Sequence, residues 1–314
     1  MAAVGAQAQA SINYYLRSGY FNQARTVCER ELQTRRNDPS LLLWRGYAFM
    51  CEGLLGEACA ELSQLVGKPD VSLAACVGLL EALNRQRTVD HVSIEQAEMK
   101  LQDELMSMNE RSYVLGAQMY MLERQWNKAR DLVNKVLGPT DSEPSDVQGA
   151  LARGPSYMQA LTLRGWINLR CGRATLVKTC LKDFERVPIG GGDQKADVEA
   201  LLGIALFYET KKDFNRGLQY LNEAVVLFGS FLPALLEKAR VLFCCGSHDQ
   251  VPDMLTRIQN LDPTNVMGLY LSTFYSLAFG GQLDEAIRYL KELTDVRCLR
   301  VPKRRFALFR SSIY

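Results

Sequence analysis

A five-residue pattern of hydrophobic, small and polar positions recurs along the chain. It consists of a glycine or polar residue, one spacer, a large apolar residue, two spacers and a small residue. The copies are Gly19, Phe21 and Ala24; Gly53, Leu55 and Ala58; Arg124, Trp126 and Ala129; Lys212, Phe214 and Gly217; and Gly281, Leu283 and Ala286. Glycine permits the turn that ends a helix, and a small residue permits close helix approach. Each copy therefore predicts a turn between two packed helices.

The spacing of these turns identifies the repeat. Gly19 and Gly53 are 34 residues apart, and Gly246 and Gly281 are 35 apart, which is the period of the tetratricopeptide repeat. The 71 residues between Gly53 and Arg124 fit two repeats, so an atypical copy is expected at about 71–109. The sequence predicts an all-α fold, a tetratricopeptide-repeat superhelix (α-solenoid) of about eight helix-turn-helix repeats, in which the third and fifth match poorly.

Longer intervals between turns indicate loops. Prolines and small polar residues after Gly138 cannot continue a helix, and Gly190-Gly191-Gly192 reads as a linker. The predicted organisation is about four repeats in 1–137, a loop in 138–156, about four repeats in 157–297 and a basic, apolar tail in 298–314.

Two sets of residues follow from this register. The first shapes the repeats, with Gly165 as a first-helix glycine and Pro263 as a closing proline. It comprises Gly19, Phe21, Ala24, Gly53, Ala58, Trp126, Ala129, Gly165, Phe214, Gly246, Pro263, Gly281 and Ala286. The second lies on the predicted concave face and is a candidate partner surface: Tyr47, Met50, Gln118, Met121, Leu206, Glu209, Arg240 and Phe243. Alternatively, these side chains contact one another inside a tight superhelix.

Composition narrows the classes of function. The 37 basic and 35 acidic residues give a formal net charge of +2, so no global field favours nucleic acid or an anionic membrane. No apolar run is long enough for a membrane span, and Met1 to Ala10 does not resemble a signal peptide. We expect a soluble, intracellular protein whose nine cysteines are reduced.

Candidate chemistry is sparse. Two histidines, His91 and His248, fall in predicted turns between helices, where an exposed loop histidine is the ordinary interpretation. Cys244 and Cys245 are adjacent rather than spaced as a zinc pair, and the triple glycine lacks the lysine of a phosphate loop. The sequence therefore predicts no catalytic residue, cofactor, metal site or small-molecule substrate, and no enzyme.

Several phrases carry a resemblance to a known family. They are Ile12-Asn13-Tyr14-Tyr15, Asp70-Val71-Ser72-Leu73, Leu163-Arg164-Gly165-Trp166, Ala200-Leu201-Leu202-Gly203 and Ser230-Phe231-Leu232-Pro233-Ala234. The last is the most specific, because the repeat itself does not require it. From about Ile12 to about Thr294 the chain resembles the amino-terminal part of the tetratricopeptide repeat protein 21 family, whose members are much longer.

The resemblance implies a function and a location. It implies a non-enzymatic scaffold subunit of the intraflagellar transport A particle, acting in retrograde ciliary transport and cilium assembly. The implied partners are other subunits of that particle and ciliary cargo adaptors, and the implied locations are the cytoplasm, cilium, axoneme and ciliary base. The alternative is a peptide-binding adaptor of the co-chaperone type. Asn13 falls at one position of its carboxylate clamp, but Gln9 and Trp44 replace basic residues.

The tail from Cys298 to Tyr314 departs from the family and leaves three interpretations open. Phe306, Phe309 and Ile313 have helical spacing after Pro302, which fits a capping helix. The cluster at 303–305 is basic, which fits a targeting or acidic-surface patch. The third interpretation is a truncated or alternatively spliced end of a longer scaffold.

Overall fold

The structure is a computed structural model that describes residues 2–88, 90–107, 109–139, 143–144, 146–189, 196–280 and 282–297. In these ranges the secondary structure is helical, without a β-strand. The predicted all-α fold is confirmed. The triple glycine, Gly281 and the tail from Cys298 to Tyr314 lie outside the described residues.

The helices follow one another in pairs joined by short turns. Their bounds are α1 Ala2–Ser18, α2 Phe21–Thr34, α3 Pro39–Glu52, α4 Leu55–Ser63, α5 Ser72–Asn84, α6 His91–Leu105, α7 Glu110–Leu122, α8 Trp126–Leu137, α9 Val147–Ala152, α10 Pro155–Cys171, α11 Ala174–Glu185, α12 Val198–Thr210, α13 Phe214–Leu227, α14 Leu232–Cys244, α15 Val251–Leu261, α16 Val266–Tyr275 and α17 Leu283–Arg297. A 3₁₀ turn, His248–Gln250, precedes α15, and a π-helical turn, Ser276–Gly280, extends α16. Apart from the short α9, the described helices form eight successive pairs, as predicted.

Contacts divide the chain into two compact units, Met1–Gly203 and Ile204–Tyr314, called the first and second units below. The boundary lies within α12. The sequence instead predicts that the two groups of repeats divide at the loop 138–156. That prediction uses local composition, whereas the compact units are defined by the contacts that each helix makes. The predicted atypical repeat at about 71–109 corresponds to α5 and α6.

The recurring pattern marks the start of the second helix in five of the pairs. Phe21, Leu55, Trp126, Phe214 and Leu283 are the first residues of α2, α4, α8, α13 and α17. The small residues three positions later, Ala24, Ala58, Ala129 and Ala286, are all 0% exposed, because the paired helix packs directly on them. Leu283, in contrast, is 63% exposed.

The turns before these helices use left-handed backbone. Gly19, Gly53, Gly172 and Gly246 have φ of 78°, 86°, 70° and 79°, a region that glycine enters without steric cost. Arg124 and Lys212 adopt the same conformation with φ of 60° and 59°, which costs a residue with a Cβ about 1–2 kcal/mol. Pro263 lies in the exposed turn between α15 and α16.

Side-chain caps fix the starts of several first helices. Asp38 accepts hydrogen bonds from the backbone of Ser40 and Leu41 at the start of α3. Asn109 caps α7 and Asn265 caps α16 in the same way. These bonds satisfy backbone N–H groups that have no partner within the helix.

Two glycines accommodate one buried ring. A Cβ on Gly165 of α10 would lie 2.7 Å from Phe184 Cε1, and a Cβ on Gly203 of α12 would lie 2.3 Å from Phe184 Cζ. Phe184 is 0% exposed and meets Trp166 edge to face, with ring centroids 5.9 Å apart. The first-helix glycine predicted at Gly165 therefore provides space for the ring from α11.

The segment 138–156, predicted as a loop, contains the helix α9. Asp146 caps it by accepting a hydrogen bond from Gly149 N at 2.9 Å, and Ala150 is 0% exposed. Earlier in the segment, the Glu143 carboxylate bonds Arg164 at 2.5 Å and Arg186 at 2.7 Å. The segment is thus tied to α10 and to the end of α11, and the interpretation of all of 138–156 as loop is wrong for 147–152.

Candidate functional site

Two polar residues of α1 reach a carboxylate that lies far along the chain. Asn13 and Arg17 are four residues apart and so share a helix face. Asn13 Nδ2 donates to Glu199 Oε1 at 2.7 Å, and Arg17 Nη1 bonds Glu199 Oε2 at 2.6 Å. Only 6% of the Arg17 side chain and 13% of the Glu199 side chain are exposed. The first helix of the first unit is therefore joined to the beginning of α12.

Aromatic and backbone contacts complete the surroundings of Arg17. Its guanidinium lies 4.0 Å from the ring centroid of Trp166 on α10, a favourable cation–π arrangement. Arg170, one turn further along α10, donates a hydrogen bond to the backbone carbonyl of Arg17. The interactions of Arg17 thus join α1, α10 and α12.

The carboxylate of Asp197 positions Glu199. Asp197 Oδ1 accepts hydrogen bonds from Glu199 N at 2.8 Å and Ala200 N at 3.3 Å, while Thr162 donates to Oδ2 at 2.9 Å. This cap begins α12 and turns Glu199 toward α1. Burial raises the pKa of both carboxyls above their ordinary values, although Arg17 acts in the opposite direction.

The Asn13 side chain is fully engaged within the chain. Its Oδ1 accepts hydrogen bonds from Gln9 at 2.9 Å and from Gln118 of α7 at 2.5 Å, while its Nδ2 donates to Glu199. The carboxylate-clamp position considered for Asn13 is therefore occupied by the chain's own Glu199. A terminal carboxylate of a peptide would have to displace that side chain.

A second polar cluster joins α3, the end of α5 and the end of α7. The Tyr47 hydroxyl donates to Glu123 Oε1 at 2.8 Å, and Arg85 Nη2 bonds Glu123 Oε2 at 2.6 Å. Burial raises the pKa of Tyr47 well above its ordinary value. The cluster fixes Tyr47 on the helix face where the sequence places a partner surface.

Four predicted partner-surface residues lie in the interior of the first unit. Tyr47, Met50, Gln118 and Met121 are 3%, 2%, 7% and 3% exposed. They offer almost no accessible surface, because other helices of the same unit cover them. Their positions agree with the alternative interpretation of the sequence, in which these side chains make contacts within the chain.

The corresponding residues of the second unit are partly exposed. Arg240 bonds both carboxylate oxygens of Glu209 at 2.5 Å and also pairs with Glu237. Phe243 packs edge to face on Phe274, with centroids 5.5 Å apart. Leu206 is intermediate in exposure. Arg240 and Glu209 therefore also use much of their hydrogen-bonding capacity within the chain.

The histidines and cysteines differ in their surroundings. His91 is the exposed first residue of α6, and the His248 ring stacks on Phe279 with centroids 3.8 Å apart. Within the described residues there is no cluster of histidine, cysteine and acidic side chains suited to a metal ion. Cys28, Cys76 and Cys180 are buried free thiols, and burial raises the pKa of Cys28 to about 12.

No helix among the described residues combines the length and the apolar character required to cross a bilayer.

The sequence pattern indicates Asn13 but not the cluster in which it lies with Arg17, Trp166 and Glu199. Arg17 carries a local signal, since it follows Asn13 by one helical turn. Glu199 carries none, because 182 residues separate it from Arg17 and no periodic pattern specifies which distant carboxylate a basic side chain meets.

Comparison with known proteins places these helices in a family. A sequence model described as tetratricopeptide repeat protein 21 N-terminal ARM repeat matches residues 12–252. Tetratricopeptide repeat protein 21B of Xenopus laevis is 25% identical over 286 residues, covering 91% of this chain and 20% of the relative. Human tetratricopeptide repeat protein 21A is 26% identical, covering 87% of this chain and 19% of the relative. The chain thus spans about a fifth of the length of these relatives.

Solved structures share the fold. Yeast Tom70 matches with a TM-score of 0.55 and 16% identity, covering 93% of this chain and 57% of that chain. A tetratricopeptide repeat protein from Parabacteroides merdae matches with a TM-score of 0.51 and 14% identity, covering 88% and 97%. At these identities the likeness concerns the helical-repeat fold alone. The family model matches well over half of the sequence, and the chain therefore belongs to the tetratricopeptide repeat protein 21 family, in its N-terminal ARM repeat region.

Proposed function

We propose that this chain is a non-enzymatic scaffold that binds other proteins as part of an intraflagellar transport A particle. The observation that carries the proposal is the family match over residues 12–252, a range in which the described chain consists of packed helix pairs. Stacked helical repeats present extended surfaces for other proteins. The relatives named tetratricopeptide repeat protein 21A and 21B support the scaffold part of the proposal.

The proposed role is assembly rather than chemistry. The partners would be other subunits of the particle and ciliary cargo adaptors, in retrograde transport and cilium assembly. The protein would act in the cytoplasm, at the ciliary base and along the axoneme. The proposal includes no cofactor, nucleic acid or small-molecule substrate, and no direct membrane insertion.

The peptide-binding adaptor of the co-chaperone type is the competing hypothesis. It requires Asn13 and neighbouring basic side chains to hold the carboxylate of a peptide terminus. In this structure Asn13 and Arg17 hold Glu199 instead, with distances of 2.7 and 2.6 Å. This arrangement favours the scaffold over the adaptor.

Affinity capture separates the two hypotheses. The tagged full chain is expressed in ciliated cells, and captured proteins are identified by mass spectrometry, with an unrelated tetratricopeptide-repeat protein as the control bait. We expect transport-particle subunits with this chain and not with the control. Recovery of chaperones without transport-particle subunits would contradict the proposal and favour the adaptor.

A further inference from the structure

The outer helix of the atypical third repeat, α6, carries an apolar stripe. Val92, Met99 and Met106, the last being the residue after the helix end, are 65%, 69% and 81% exposed. A spacing of seven residues corresponds to nearly two turns, so the three lie on one face. At 1.5 Å per residue the stripe is about 21 Å long. Within the described part of the first unit, every exposed large hydrophobic residue belongs to it.

Acidic side chains border this stripe. Glu95, Glu98 and Asp103 are exposed on the same helix, whereas Lys100 is its one exposed lysine or arginine among the described residues. At 100° per residue, Glu95 and Glu98 lie on one side of the stripe and Asp103 lies close to its centre on the other side. Lys100 lies on the same side as Asp103, so the face is apolar along its middle, negative along the border formed by Glu95 and Glu98, and mixed in charge along the other.

α6 packs on α5, and a cavity lies on either side of it. A groove of about 690 Å³ lies between α6, α5 and the α7–α8 pair, with Val77, Leu80, Met99 and Tyr120 among its lining residues. Glu81, Glu95 and Glu98 also line it, together with the single basic residue Lys128. A smaller cavity of about 360 Å³ separates α6 from α4. Met99 belongs to both the stripe and the larger groove, so the two form a continuous surface.

We propose that this acidic stripe, defined as Val92, Met99 and Met106 with Glu95, Glu98 and Asp103, binds a basic amphipathic helix of a partner protein. Apolar residues seven apart match the repeat of a helix packed alongside. The bordering carboxylates select lysine and arginine on that helix and disfavour an anionic membrane surface. A helix of about 14 residues spans the stripe. This inference does not depend on membership of a transport particle.

The probe for this site is a fluorescent 18-residue helical peptide with leucines seven residues apart and lysines or arginines on both borders. A control peptide replaces each basic residue with glutamate. Anisotropy titrations use the full chain at low and at physiological salt. We expect saturable binding of the basic peptide, weakened at least threefold by the added salt, and at least tenfold weaker binding of the acidic peptide.

Matched variants locate the binding. Met99→Asp and the double change Glu95→Lys with Glu98→Lys alter exposed side chains, and circular dichroism verifies the fold. Each is expected to weaken binding at least tenfold. Val226→Asp is the control, because Val226 is 81% exposed on α13 of the second unit, and it should change affinity less than twofold.

Three results would overturn the proposal. The first is absence of saturable binding by the basic peptide. The second is an equal loss of affinity in Met99→Asp and Val226→Asp, which would place the binding elsewhere. The third is light scattering that shows the chain to be a dimer and Met99→Asp to be a monomer, since the occupant would then be a second copy of the chain.

Discussion

The paired approach of Gly165 and Gly203 to Phe184 leads to a quantitative prediction about stability. The perturbation is Gly203→Ala, with Gly165→Ala as a milder version. The new methyl groups would lie 2.3 Å and 2.7 Å from carbons of the ring, whereas non-bonded carbons prefer about 3.5–4.0 Å. Because Phe184 is 0% exposed and packs against Trp166, the ring has no open space into which it can move.

Two opposing effects set the magnitude. Alanine favours the helix over glycine by about 1 kcal/mol, whereas overpacking a buried site costs about 1–3 kcal/mol. The closer contact places Gly203→Ala at the upper end of that cost, for a net destabilisation of about 1–2 kcal/mol. Gly165→Ala should destabilise less, since its clash is 0.4 Å milder, from 2.7 against 2.3 Å.

Gly56→Ala is the matched control. Gly56 lies in α4, and no atom lies within 4 Å of where its Cβ would be. Here the helix preference acts alone, so we expect stabilisation of about 0.5–1 kcal/mol. The three variants make the same chemical change in three different packing environments.

Urea unfolding followed by circular dichroism and tryptophan fluorescence measures the differences. The expected order of stability is Gly56→Ala, then the unchanged chain, then Gly165→Ala, then Gly203→Ala. Adding Phe184→Leu to Gly203→Ala should make the glycine substitution less costly than it is beside phenylalanine. If Gly203→Ala were as stable as Gly56→Ala, the close approach to Phe184 would be refuted.

Three further predictions concern the turns, the buried alanines and the ion cluster. Arg124→Gly should stabilise by about 0.5–1 kcal/mol, because it relieves a left-handed residue; an unchanged or lower melting temperature would count against this. Ala58→Arg or Ala129→Arg forces a charge into a position that is 0% exposed and should unfold at least the local helix pair; unchanged helicity and melting temperature in both would show the repeat register to be wrong. Hydrogen bonds from Arg164 lower the pKa of Glu143, so its contribution is present above the unfolded-state pKa and is lost as pH falls through the lower folded-state pKa. Asp183 still pairs with Arg164 at 2.7 Å, so Glu143→Gln should cost about 1–2 kcal/mol at neutral pH, and denaturant titrations from about pH 5 to about pH 2 should show the difference from the unchanged chain shrinking.

Local pattern predicted the helix pairs well. Phe21 and Trp126 begin second helices, and Ala24 and Ala129 are buried, because these positions are determined by spacing within one pair. The turn conformation of Gly53 follows from the same local reasoning.

Contacts between distant segments were not predictable in this way. Gln118 was assigned to an accessible face, yet Asn13, 105 residues away, receives its hydrogen bond. The cap that begins α9 at Asp146 was overlooked because the neighbouring prolines indicate a loop. The exposed position of Leu283 depends on which helix packs beside it, and no spacing rule supplies that information.

The link between Arg17 and Glu199 also affects how the first unit folds during synthesis. Repeat arrays usually gain stability from nearest neighbours, so each repeat can form soon after it leaves the ribosome. Here the partner of Arg17 emerges 182 residues later, a delay of about 10–35 s at ordinary translation rates. Until then the guanidinium lacks its carboxylate, so the contact between α1 and the beginning of α12 forms only after most of the first unit has been synthesised.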